Sequence, residues 1–276
     1  MPVTLLTDFG TRDHFVAAMK GVILARAPDV ALVDVTHEVP PQDVAAAAFL
    51  LLAAYRAFPA GTVHLAVVDP GVGSARRPLA VAAAGQRFVG PDNGIFSHVL
   101  DREPGARVFH LDDARAFRHP VSHTFHGRDV FAPVAGALAA GADPAELGTE
   151  VRDPVRLEPI GARRTAEGAV EGTVLHVDHF GNCITSVAAD DVPEGLGEGF
   201  RLRLGGGEVR ALRTHYAGAA PGEPFAIWGS AGFLEVSVNG ASAARRLGVR
   251  RGDAVTLAPG ERAGDPLPGG RNRRNL

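Results

Sequence analysis

Apolar and polar positions in the first half of the chain fall into two alternating textures. Short, nearly continuous apolar runs ("VTLLT", "ALVDVT", "TVHLAVVD", "LAVAAA", "RFVG" and "RVFHL") are separated by longer stretches of helical character, "HFVAAMKGVILARA", "VAAAAFLLLAAYRAF" and a segment over residues 94–100. Such runs predict strands buried on both faces, and the alternation predicts a mostly parallel sheet with helices on either side. Asp13 is placed to cap the first helix, which stops before Pro28, and Asp43 to start the second. A further helical stretch over residues 129–140 closes this α/β region. From about residue 163 the texture changes. "AVEGTVLHVD", "CITSVA", "FRLRL", "EVRALRTH", "FAIWGS", "FLEVSVN" and "AVTLA" are short strands divided by Gly, Pro and Asp turns, the pattern of an antiparallel, barrel-like sheet. The expected organisation is an α/β domain over residues 1–160 and a smaller all-β domain over residues 165–260. The tail over residues 261–276 has no apolar periodicity and is expected to be disordered.

Composition narrows this picture. With 46% hydrophobic and 21% charged residues, 276 residues suffice for one large or two modest globular cores. A net charge of −3 argues against nucleic acid or an anionic membrane as partner. One cysteine, Cys183, excludes an internal disulfide, and the default for it is a buried, inert thiol. The first ten residues lack the basic region and apolar core of a signal peptide, and the longest apolar run, residues 44–55, is too short for a bilayer. A cytoplasmic protein is expected. The basic side is almost all arginine, with Lys20 the only lysine.

Ligand sites in open α/β sheets lie at the carboxyl ends of the strands. Polar residues gather there: Thr7-Asp8, Asp34 to His37, Asp69, and Asp92-Asn93. After the third strand comes "VVDPGVGSARR", whose glycines invite a phosphate-loop reading. A Walker loop needs a lysine that is missing, and a dinucleotide fingerprint needs a third glycine where Arg76 stands. What remains is a type II turn at Pro70-Gly71, or a strand-end carboxylate, Asp69, toward which the glycines let Arg76 fold back. Asp8 suits either a ribose diol or loop capping. His119, His123 and His126 match no zinc spacing, so no metal site is expected, and His126 beside Gly127 is the best candidate base or orienter. In the second half, "VDHFGNC" sets Asp178, Phe180 and Asn182 around a turn at Gly181. A phenylalanine ring and an asparagine amide there suit a purine, or simply make a good hairpin. "WGSAGFLEVSVNG" adds Ser230, Glu235 and Asn239, while Trp228 reads as core.

"LLTDFGTRDHFVAAMKG", "DVTHEVPPQDV", "VVDPGVGSARRPLAV", "GPDNGIFS", "FHGRDVFAP", "VDHFGNCITS" and "GSAGFLEVSVNGASAA" resemble, in order and over residues 5–244, the adenosine-forming S-adenosyl-L-methionine (SAM) hydrolases. These are also called SAM hydroxide adenosyltransferases and are relatives of fluorinase and chlorinase. The resemblance implies attack of an activated water on ribose C5′ of SAM, releasing methionine. It assigns Asp69, Arg76 and His126 to a water-activating triad and Asp8 to the ribose diol. Asp178 and Ser230 fall to the methionine group, and Phe180, Asn182 and Asn239 to the adenine; Asn93 and Glu235 join the expected substrate-binding residues. It implies no cofactor, since SAM is the substrate, and a homotrimer with sites between subunits. The short connection between Asn93 and His126, and Gln42 where the halogenases carry an aromatic residue, favour hydrolase over halogenase. The alternatives are a metal-dependent nucleotide phosphohydrolase and a non-catalytic SAM or adenosine sensor.

Overall fold

The computed structural model describes residues 1–192 and 199–258; the expected disordered tail lies outside the described residues. The chain divides into two compact units, Met1–Pro159 and Ile160–Leu276.

In the first unit seven strands form one sheet: β1 Val3–Thr7, β2 Leu32–Thr36, β3 Val63–Val67, β4 Pro78–Ala83, β5 Gln86–Pro91, β6 Arg107–His110 and β7 Thr149–Val151. Their order is β2-β1-β3-β5-β4-β6-β7. The half carrying β2, β1, β3 and β5 is parallel, as its apolar runs and intervening helices require. The other half is antiparallel, so the sheet is mixed. The cause is local: β4 and β5 are joined by Ala84 and Gly85, both at positive φ (51° and 72°). A two-residue turn of that kind builds a hairpin, whereas a parallel connection needs a crossover of a dozen residues or more.

Helices α1 Phe15–Arg26, α2 Val44–Ala54, α3 Ser97–Arg102, α4 Ala132–Ala139 and α5 Pro144–Leu147 complete the unit. Alternation along the strands divides the core in two. Val3, Leu5, Val63, Leu65 and Val67 pack with Met19 and Ile23 of α1 and Val134, Ala135 and Leu138 of α4. Leu6, Ala66 and Val68 point the other way, toward Ala47 and Leu51 of α2 and Val99 of α3. Each fully buried Val or Leu contributes about 1.5–3 kcal/mol. Asp43 caps α2 by accepting from Ala46 N–H at 2.9 Å. Asp13, by contrast, caps nothing: α1 starts after His14 without a side-chain cap. Aromatic packing fixes that entry, with Phe15 5.9 Å from Phe9 and 5.2 Å from Phe125.

The second unit is one antiparallel sheet. Its strands are β8 Arg163–Arg164, β9 Val170–Val177, β10 Cys183–Ala188, β11 Arg201–Leu204, β12 Gly207–Val209, β13 Pro224–Trp228, β14 Phe233–Val238 and β15 Ala254–Ala258. They run β12-β11-β15-β9-β10-β14-β13, with β8 beside β9. Beyond β12, Leu212 bridges to Ala226 of β13, so the sheet curls nearly closed around Val174, Leu202, Leu234, Val236 and Val255. Cys183 is fully buried there and its thiol is pushed up to about 12 by burial. Trp228 packs at the edge of the same core. One short helix, α6 Ala243–Leu247, follows β14. No helix among the described residues is long and apolar enough to cross a membrane.

Candidate active site

Strands β1 and β3 pair in parallel with Thr7 opposite Val67, so their carboxyl ends set Asp8 and Asp69 on adjacent strand exits. Asn93 follows β5 on the same rim. Its side-chain N–H donates to the Val68 carbonyl at 2.8 Å and its Oδ1 accepts from Ile95 N–H, which ties the end of β3 to the turn after β5.

The glycine segment after β3 does fold back. A bond from Val72 N–H to the Asp69 carbonyl closes the first turn at 3.2 Å. Positive φ falls at Gly73 (77°) and not at Gly71, so the alternative of a type II turn at Pro70-Gly71 does not form. Gly73 is required for a second reason: a Cβ there would lie 2.3 Å from the His123 carbonyl oxygen. The loop is thereby seated on the segment that carries His126. Arg76 then reaches both partners. Its Nε donates to Asp69 Oδ1 at 2.9 Å, its Nη2 to Asp69 Oδ2 at 2.5 Å, and Nη2 also to His126 Nδ1 at 2.7 Å. The guanidinium lies 5.0 Å over the Phe131 ring, and the Arg76 and Asp69 side chains are only 10% and 5% exposed. Arg77 turns away to Asp92 and Asp153 and is structural.

A guanidinium only donates, so His126 Nδ1 accepts and the ring proton sits on Nε2. Burial first, and the Arg76 charge second, push the His126 pKa below its ordinary value. His126 precedes a π-helical turn, Gly127–Phe131, anchored by Asp129. The fully buried Asp129 carboxylate accepts from Arg128, Arg118 and Ser122 N–H. Burial pushes its pKa up, but these hydrogen bonds prevail and hold it at about 2. His119 donates to or accepts at nothing in this cluster; its Nε2–H goes to the Ala114 carbonyl at 2.8 Å. Among the described residues no three His, Cys, Asp or Glu side chains group so as to hold a metal ion.

Asp8 is partly exposed, and its Oδ2 accepts from Gln42 N–H at 2.8 Å. Gln42 holds φ = 66°, a left-handed conformation costly for a residue with a Cβ.

In the second unit a depression of about 550 Å³ is lined by Asp178, Phe180, Asn182, Tyr216, Asn239 and Arg245, among others. Asp178 accepts from Asn182 through both oxygens, from the backbone N–H at 2.8 Å and the side-chain amide at 2.8 Å. This locks the turn. Gly181, at φ = 87°, lets the turn close on α6, since a Cβ there would meet Ser242 Oγ at 2.0 Å. Phe180 is left 74% exposed, a bare ring at the rim. Asn239 donates to the Ala219 carbonyl. Glu235 does not line the depression; it is buried and accepts from Tyr216 Oη and Ser237 Oγ at 2.8 and 2.7 Å. Ser230 lies apart, on the exposed turn between β13 and β14.

Tyr216, Phe131 and Asp129 escape the sequence reading. The chain has only two tyrosines, and that scarcity is the signal that could have singled out Tyr216.

A model described as the SAM hydroxide adenosyltransferase N-terminal domain matches residues 3–148, and its C-terminal counterpart matches residues 172–256. A Thermus thermophilus protein named (R)-S-adenosyl-L-methionine hydrolase is 46% identical over 93% of this chain and 99% of its own. One of the same name from Salinispora tropica is 42% identical over 94% and 98%. A fluorinase of Actinopolyspora mzabensis is 28% identical over 92% and 96%. A solved Thermotoga maritima structure, described as an uncharacterized conserved protein, superposes with a TM-score of 0.87 at 33% identity, covering 92% of this chain and 99% of that one.

Proposed function

The chain belongs to the SAM hydroxide adenosyltransferase family, and we propose that it hydrolyses S-adenosyl-L-methionine to adenosine and L-methionine at a water held by Asp69, Arg76 and His126. It is an enzyme, a SAM hydrolase. The observation that carries the site assignment is the single guanidinium bonded at once to a nearly buried carboxylate and to a neutral imidazole.

The chemistry follows from that arrangement. Sulfur leaves as a neutral thioether, so the leaving group needs no acid, and the difficulty lies in making water a nucleophile. Arg76 supplies a fixed positive charge where hydroxide character develops. None of the hydrogen bonds among the described residues uses its Nη1, which leaves two N–H groups for the water oxygen. His126 presents Nε2–H as a second donor. Asp69 is the member with lone pairs to spare, so it accepts the water proton as the C5′–O bond forms. The C5′–S bond breaks with its electron pair passing to sulfur, and Asp69 then returns the proton to solvent. Asp8 takes the ribose diol, Phe180, Asn182 and Asn239 the adenine, and Asp178 and Ser230 the amino and carboxylate groups of methionine. The structure bears on two further residues: Asn93 shapes the rim and Glu235 supports Tyr216. No cofactor or metal enters this scheme. The reading extends to a cytoplasmic homotrimer with sites between subunits, checked by sedimentation.

Incubation of the purified protein with SAM tests the function. Adenosine and methionine are expected in equal amounts and unaffected by a chelator. Asp69→Ala, Arg76→Ala or His126→Ala should cut turnover by about 100-fold or more while SAM still binds. SAM that binds but survives intact, or phosphate released from a nucleotide only when metal is present, would contradict it.

A further inference from the structure

The rim around Asp8 contains a chain of side chains that the reaction scheme leaves unused. Thr7 is fully buried and His37 is 4% exposed. Thr7 Oγ1 lies 2.8 Å from His37 Nδ1, and His37 Nε2 lies 3.0 Å from Asp34 Oδ1. Asp34 Oδ2 in turn accepts from Lys20 Nζ at 2.7 Å, and Lys20 is the sole lysine. Nε2 meets the Asp34 carboxylate at ion-pair distance but outside hydrogen-bond geometry, whereas Nδ1 and the Thr7 hydroxyl are hydrogen-bonded. The same hydroxyl oxygen accepts from Phe9 N–H at 3.2 Å. Contacts therefore run from Phe9 through Thr7 and His37 to Asp34, with Lys20 closing the far end.

This chain straddles Asp8. Residues 7 and 9 on either side of it are fixed by the Thr7 hydroxyl, and Gly10 N–H donates to the His37 carbonyl at 2.8 Å. From the opposite side, the left-handed Gln42 aims its N–H at the Asp8 carboxylate. Two loops that follow adjacent parallel strands, β1 and β2, are thus tied by backbone and side chain around one acidic group. An uncommon backbone conformation that persists at such a point is held by its surroundings.

We infer that Thr7 and His37 are positioning residues for Asp8, holding its carboxylate in the orientation that receives a ribose diol. This rests on the assignment of Asp8 to the ribose in the proposed function. Thr7→Val keeps shape but leaves a buried imidazole nitrogen and the Phe9 N–H without partners. Thr7→Ser keeps the hydroxyl.

Calorimetric binding of two probes, adenosine and 2′,3′-dideoxyadenosine, reads the effect. Thr7→Val should weaken adenosine about tenfold and leave the dideoxy analogue unchanged, with Thr7→Ser restoring wild-type affinity. KM for SAM should rise with kcat nearly constant. In an Asp8→Ala background Thr7→Val should cost adenosine nothing more, because the carboxylate it serves is gone. Should Thr7→Val fail to fold, Asp34→Ala at the exposed end of the chain should show the same selective loss, about threefold. Equal weakening of both probes, full additivity with Asp8→Ala, or an unaffected adenosine affinity overturns the positioning role while leaving Asp8 on the ribose. An Asp8→Ala variant that still prefers adenosine over its dideoxy analogue overturns the ribose assignment itself, and this inference with it.

Discussion

Arg76 serves two neighbours with one planar cation, and the geometry dictates which nitrogen of His126 carries its proton. A guanidinium offers several donors in a fixed fork, so it can hold Asp69 through two nitrogens and still reach His126, which a lysine ammonium could not do in the same directions. Protonating His126 would set a second N–H against Arg76 and break that contact. Burial and the guanidinium already hold its pKa below the ordinary 6.5, so the imidazole stays neutral as pH falls through that value. The acid limb of kcat/KM is therefore expected at a midpoint below pH 6.5, read from initial rates across a pH series. A midpoint at or above 6.5 would show that Arg76 and His126 are not so paired in the working enzyme. The return of Arg76 toward Asp69 is legible in the sequence, because glycines between a strand end and an arginine seven residues on leave few other paths. The role of Gly73 is not, since its necessity comes from the His123 carbonyl, fifty residues away.

At the scale of elements, strand β3 carries a buried polar contact that stability should report. His64 is 1% exposed, bonds the hydroxyl of Thr4 on β1 at 2.8 Å, and stacks on Phe88 of β5 with ring centroids 4.8 Å apart. Gln86 completes its surroundings at 3.3 Å. Burial lowers its pKa from 6.5 to about 4, with the Gln86 contact opposing only in part. The unfolded chain therefore binds a proton below pH 6.5 that the folded chain refuses until about pH 4. The stabilisation is complete above 6.5 and drains away across that window, on the order of 3 kcal/mol in all. Urea titrations of the wild type should lose stability from pH 6.5 to 4 more steeply than those of His64→Gln, which has no ring to titrate. Parallel slopes for the two would remove His64 from the explanation. The strands and helices themselves are legible because apolar run length and period are local properties. Pairing is less so. The two residues between β4 and β5 are the reason half the sheet turns antiparallel, and a run such as "LAVAAA" looks the same in either setting. The start of α1 is misread for a similar cause, as Asp13 has capping chemistry but Phe9, Phe15 and Phe125 decide where the helix begins.

Over the whole molecule, the proposed function draws on two units built on different principles. The α/β unit sets charged groups on a strand-end rim, with Asp69, Arg76 and His126, the proposed partners of the nucleophile, hydrogen-bonded together. The β unit offers a broad depression with an exposed aromatic, Phe180, beside amide groups already fixed in a turn. In the proposed function one supplies charge for chemistry, and the other supplies area for recognition. The division is legible in the change of texture near residue 163. Which polar residues are exposed is less so: Glu235 lies buried behind Tyr216, whereas Ser230 stands on an exposed turn. The most direct test of a water poised at Asp69, Arg76 and His126 is the fate of its oxygen. Turnover of SAM in water enriched in oxygen-18, followed by mass spectrometry of both products, should place one label in the 5′-hydroxyl of adenosine and none in methionine. Unlabelled adenosine, or label in methionine, would contradict attack of water on C5′.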